Sequence, residues 1–111
     1  MRRQRKIEIV FNLSGVSPED YKDFVTTEVV QECPDGFIVV LGRAGELGSL
    51  GELKSHDVWI LTVFDELGDW ESSEDEHPRV SSLAPLRRAY YDRFGVHSTL
   101  VMSEVSIFDD C

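Results

Sequence analysis

Residues 6–33 read KIEIVFNLSGVSPEDYKDFVTTEVVQEC, and they decide the fold. In Lys6 to Leu13, the residues Ile7, Ile9, Phe11 and Leu13 share one face, a period of two that argues a strand. Ser14-Gly15-Val16 turns the chain. Ser17-Pro18-Glu19-Asp20 then opens a helix, with Ser17 as N-cap, Pro18 in the first helical position and acids in the first turn. Tyr21, Phe24, Val25, Val29 and Cys33 follow at three- and four-residue spacing and define its apolar stripe. Pro34-Asp35-Gly36 ends it.

The same grammar recurs downstream. Phe37–Leu41 (FIVVL) and Val58–Phe64 (VWILTVF) read as strands that are apolar on both faces. Between them Gly42, Gly45, Gly48 and Gly51 mark a loop, with room for a bulge or a hairpin. Asp65 to Pro78 is a long acid-rich loop. A second helix follows, capped by Ser81 or Ser82, with Leu83, Leu86, Tyr90 and Phe94 buried and Gly95 as its C′ residue. Pro85 is expected in the first turn, the one place where the helix tolerates it. Arg87, Arg88 and Arg93 sit toward the C-terminal end, where cations suit the helix dipole. A last strand runs from about His97 to Phe108. The order is strand, helix, strand, strand, helix, strand. It predicts an α+β, ferredoxin-like β-α-β-β-α-β sandwich: a four-stranded antiparallel sheet with two helices on one face, and the first and third strands paired at its centre.

Length and composition are consistent with this. The chain of 111 residues is one domain, and 41% hydrophobic residues suffice for a core. The expected division is a disordered basic arm over residues 1–5 and a single domain over residues 6–111. No apolar run is long enough for a membrane span, and no secretory signal is readable in the N-terminal residues, so a cytoplasmic location is expected. Cys33 falls on a helix face and Cys111 is the last residue, and nothing motivates pairing them in a reducing compartment.

Net charge is −10, although four of the 11 cations are Arg2, Arg3, Arg5 and Lys6. The body is therefore strongly acidic and is repelled by nucleic-acid backbone and anionic membranes, so neither is expected as a partner. The acidity serves solubility, or it fits a basic protein partner. Strands without a polar face leave the uncovered side of the sheet apolar. That side is expected to meet a second copy, as a homodimer, or to line a ligand cavity. Trp59, Leu61 and Val63, or their opposite-face neighbours Ile60 and Thr62, are the residues to be covered.

In three segments the chain resembles a family of small bacterial proteins that share a domain of unknown function (number thirty-five seventy-four). They are KIEIVFNLS (6–14), VSPEDYKDFVTTEVVQECPDGF (16–37) and LRRAYYDRFGVHSTLV (86–101). The family usually has an aromatic residue where this chain has Cys33, and often Gln where it has Val96. The resemblance implies a fold and no chemistry.

Motifs for chemistry are sparse. Pro34-Asp35 followed by Glu52-Leu53-Lys54 has the residue types of a metal-dependent nuclease, but a turn and a Gly-rich loop are the wrong scaffold for it, and the acidity suits DNA poorly. His56, His77 and His97 lack paired spacing, and Glu74-Asp75-Glu76-His77 reads as a solvated loop, so no metal and no cofactor is expected. The candidate ligand site is Asn12, Tyr91, Arg93 and His97, between the sheet and the end of the second helix. Asn12 is a polar group in an apolar strand, Arg93 could hold a small anionic ligand, and His97 could act as acid or base. The expected function is thus a dimeric small-molecule-binding protein or cofactor-free enzyme. The alternatives are an acidic interaction module that blocks a basic surface, of inhibitor or immunity type, and a purely structural accessory.

Overall fold

The computed structural model describes residues 2–66 and 78–108. Strand β1 spans Arg2–Asn12. Helix α1 (Pro18–Phe24) runs through a π-helical turn (Val25–Val29) into α2 (Val30–Glu32), forming one rod. Strands β2 (Ile38–Leu47) and β3 (Leu53–Glu66) form a hairpin, and α3 (Pro78–Phe94) leads into β4 (Ser98–Ile107). The sheet is antiparallel in the order β2-β3-β1-β4, with β1 and β3 at its centre. This is the ferredoxin-like arrangement that the element order predicts.

Register places the core. Ile7 faces Val63, Ile9 faces Leu61 and Phe11 faces Trp59 across the central pair. All six are buried in one cluster with Phe24 and Val29 from the first rod and Leu83, Leu86 and Tyr90 from α3. Alternation puts those strand residues on a single face, so both rods cover the same side. Aromatic rings fill the middle. Phe11 stacks on Trp59 with centroids 4.1 Å apart, and Tyr90 meets Phe11 at 4.7 Å and Phe24 at 5.2 Å.

The start of α1 follows its sequence signals. Ser17 Oγ accepts from the Asp20 amide at 3.1 Å, and Pro18 occupies the first helical turn. The π-helical turn is new. Val30 N–H bonds Val25 O, five residues back, and Thr26 and Thr27 hydroxyls bond the carbonyls of Lys22 and Asp23. Phe24 and Val29, five residues apart, are both fully buried. The wider turn is what brings that spacing onto one side of the rod.

Three boundaries differ from expectation. Residues 2–5, expected as a loose arm, are strand, because acids lie opposite the arginines. Arg5 pairs in register with Asp65 and Glu104, and Arg3 forms an ion pair with Glu104. The glycine-marked loop is mostly hairpin: Gly42 and Gly45 lie within β2, and only residues 48–52 turn. Gly51 supplies the positive φ of 82° that the turn needs, and Glu52 accepts from the Leu50 amide. Helix α3 includes Pro78, three residues before Ser81, so Pro85 is interior rather than in the first turn. Gly95 does end it, with φ 72° and its amide on Tyr91 O. Of the expected acidic loop, Asp65 and Glu66 belong to β3 and Pro78 to α3, while residues 67–77, with Glu74 to His77, lie outside the described residues, as does Cys111; Cys33 is buried.

Candidate functional site

Helix α3 has two working sides. Leu83, Leu86 and Tyr90 point into the core. Ser81, Ala84, Arg88 and Tyr91, also at three- and four-residue spacing, line the opposite flank. Beyond the glycine turn the chain returns as β4 along the edge of the sheet. An open groove of about 680 Å³ lies between that flank and residues His97 and Ser98.

Each wall has an identifiable cause. Arg87 donates through Nε to Ser98 Oγ at 2.9 Å and through a terminal nitrogen to Ser98 O at 3.0 Å. This two-pronged contact pins the helix to the first residue of β4 and fixes the groove's width. Tyr91 and His97 meet ring to ring, with centroids 4.8 Å apart and planes 31° apart. Pro85 has no amide hydrogen, so the Ser81 carbonyl in the groove wall lacks its usual helical donor. Arg88 lines the groove with no ion-pair partner among the described residues. The groove therefore combines a cation without an ion-pair partner among the described residues, a pair of rings, hydroxyls and a carbonyl short of its helical donor.

Of the four residues expected to form a site, two come together and the other two lie apart from them and from each other. Tyr91 and His97 come together in the groove. Arg93 projects toward the first rod, where it donates to Asp23 Oδ2 at 2.7 Å, and its guanidinium sits 5.1 Å from the Phe94 ring centroid. Asn12 lies at the end of β1, and its Oδ1 accepts from the Ser14 amide at 2.8 Å to stabilise the turn into α1. Its backbone carbonyl accepts from the Tyr90 hydroxyl at 2.5 Å. Arg87, Arg88, Pro85 and Ser98 are the groove residues that sequence reasoning passed over. A readable signal existed, since Ser81, Ala84, Arg88 and Tyr91 share a helical side opposite the apolar stripe.

Tyr90 is held in the core, on the side of α3 turned away from the groove. Burial pushes its pKa upward, and the nearby Trp59 indole opposes that rise. The indole does not reach hydrogen-bond geometry, and Trp59 Nε1 is buried without a partner among the described residues. Among those residues no group of three His, Cys, Asp or Glu side chains could hold a metal ion. No helix is long and apolar enough to cross a membrane among them.

No protein-family model matches this chain, and no curated protein sequence matches it. Solved structures do resemble it in shape. A phage SAM lyase in complex with S-methyl-5'-thioadenosine superposes with a TM-score of 0.57 at 18% identity, over 96% of this chain and 85% of that one. CPII, a nitrogen regulatory PII-like protein from Thiomonas intermedia K12 bound to ADP, AMP and bicarbonate, superposes more loosely. Its TM-score is 0.44 at 13% identity, over 98% of this chain and 97% of that one. At such identity the likeness to the phage enzyme is one of fold.

Proposed function

We propose that this chain binds a small anionic molecule carrying a planar ring, in the groove between α3 and the start of β4. The observation that carries this reading is Arg88, a cation without an ion-pair partner among the described residues, beside the Tyr91–His97 ring pair. In a protein of net charge −10, a cation beside two rings, without an acidic partner among the described residues, is well suited to an anion. Arg88 would take the anionic group, the rings would pack against the planar part, and the Ser81 carbonyl would accept from a ligand N–H or hydroxyl. The phage lyase supports the reading only in that its fold accommodates an adenosine derivative. The resemblance to the thirty-five seventy-four family adds no chemistry to it.

The uncovered sheet face supports self-association as a homodimer. Val40, Ile60 and Val10 lie in one cross-strand row, flanked by Ile38 and Val101. Ile38, Val40 and Val101 are each half exposed. The row is bounded by Glu8 and Lys6, which pair at 3.5 Å on the same face. An apolar stripe with a charged border matches a two-fold contact between identical surfaces.

Calorimetric titration with AMP tests the ligand reading, with adenosine as the uncharged comparison. AMP is expected to bind, adenosine to bind more weakly, and Arg88→Gln to reduce the AMP affinity toward that of adenosine. If AMP gives no heat, or if Arg88→Gln binds it as wild type does, the groove is not an anion site of this kind.

A further inference from the structure

A second cavity lies toward the opposite edge of the sheet from β4, where the β1–α1 connection passes the middle of the β2–β3 hairpin. It encloses about 360 Å³, lined by Leu13, Val16, Tyr21, Leu41 and Val58, with Asp57 also in the lining. Its character is opposite to that of the groove beside α3. The walls are aliphatic and aromatic, and the one ionisable acid or base among the lining side chains, Tyr21 apart, is a carboxylate.

The fold builds this cleft from three elements. The Leu13 amide bonds Asp57 O at 2.9 Å, which ties the end of β1 to β3 and holds the connection over the hairpin. The Val16 amide bonds Leu13 O at 2.9 Å, and this turn aims Leu13 and Val16 at the same space. Tyr21, on the first turn of α1, reaches in beside Trp59 with ring centroids 5.7 Å apart. Leu41 remains more than half exposed, although its strand neighbour Trp59 is fully buried. An aliphatic side chain facing a cavity without a packing partner leaves room for an apolar guest.

We infer that this cleft binds a small amphipathic cation, an ammonium group carried on an aromatic or aliphatic body. The apolar body fills the space bounded by Leu13, Val16, Leu41 and Val58. The ammonium lies between Asp57 and the face of Tyr21, where a carboxylate and a ring quadrupole both attract positive charge. Arg43 is the group that competes for Asp57. Its Nε lies 3.9 Å from Asp57 Oδ1 and both side chains are largely exposed, which makes the pair loose and displaceable. The acidity of the whole chain favours a cation entering from solvent.

Amide NMR titration of the full chain with phenethylamine tests this, with phenylacetate and benzyl alcohol as anionic and neutral comparisons. Phenethylamine is expected to produce saturable shifts at the amides of Leu13, Val16, Tyr21 and Gly42, and benzyl alcohol weaker ones at the same places. Asp57→Asn should weaken the amine several-fold without changing the alcohol. Arg43→Gln, which frees the carboxylate, should tighten the amine. Both substitutions are at exposed side chains, so the spectra themselves report that the fold is intact. The inference is overturned if the amine does not saturate at these amides, if phenylacetate binds as well as the amine, or if Asp57→Asn leaves amine binding unchanged. None of these results bears on the anion site beside α3, which uses different residues.

Discussion

Val10 and Phe11 are neighbours in the same central strand, and they live in different environments. Phe11 is fully buried against Trp59, Tyr90 and Phe24 under two helical rods. Val10 sits in the apolar row of the uncovered face, only partly buried, between Ile60 and Thr99. In β2 and β3 both faces are apolar by sequence, yet only one is packed. The covered face holds the stability of this chain, and the uncovered face holds its capacity for contact. In chemical terms, burial against a close-packed core removes apolar area from water and gains dispersion contacts, whereas a half-exposed row gains neither until something covers it.

The contrast can be broken most directly by truncating the two neighbours. Phe11→Ala should cost about 3–5 kcal/mol, since it opens a cavity in a core of stacked rings. Val10→Ala should cost about 1 kcal/mol, because its surroundings are already partly solvent. Urea unfolding of both variants measures this, and comparable losses at the two positions would erase the distinction between the faces.

Tyr90 sharpens the same contrast from the helix side. Tyr90→Phe removes the hydroxyl donated to Asn12 O and should cost about 1 kcal/mol. It also carries a pH signature. The folded pKa lies above the unfolded value of 10.0 because burial disfavours the phenolate. The contribution is therefore present in full below about pH 10 and is lost as pH rises through the folded value. Urea midpoints of the wild type should fall more steeply above pH 10 than those of Tyr90→Phe. Parallel curves would mean that the hydroxyl is not held as the structure shows.

The smallest effect on chain stability, and the largest on assembly, is expected at Ile60→Lys. A lysine there can extend its ammonium into water, so the monomer should lose little, within about 0.5–1 kcal/mol. Light scattering should show the wild type as a dimer and the variant as a monomer. A wild type that is monomeric throughout, with Ile60→Lys unchanged, would leave the uncovered face without a partner of its own kind.

Much of the fold was legible because its signals are local. The cap at Ser17, the stripe through Phe24 and Val29, and the terminating Gly95 depend on residues within one or two turns of each other. The hairpin was less legible, because Gly42 and Gly45 suggest a break. They are held in strand by pairing with Val58 and Ser55, and that pairing is a property of the partner strand. Arg2 to Arg5 read as a repelling arm until Asp65 and Glu104, far away in sequence, are brought opposite Arg5. The candidate site was half legible. Tyr91 and His97 meet because a glycine turn folds β4 back along α3, while Arg93 points around the helix to Asp23. At the end of a predicted helix, a displacement of two residues moves a side chain to another side, and only packing decides which side faces a cavity.

The sequence by itself determined the element order, the apolar period of two in β1, the capping of α1 and the acidity of the body. These rest on backbone preference, side-chain periodicity and charge, which act between near neighbours. Tertiary structure alone decided which face of VWILTVF is covered, and where Arg88, a ring pair and two cavities come to lie. Each of these depends on contacts between residues far apart in the chain, where no local preference reaches and register and packing choose the outcome.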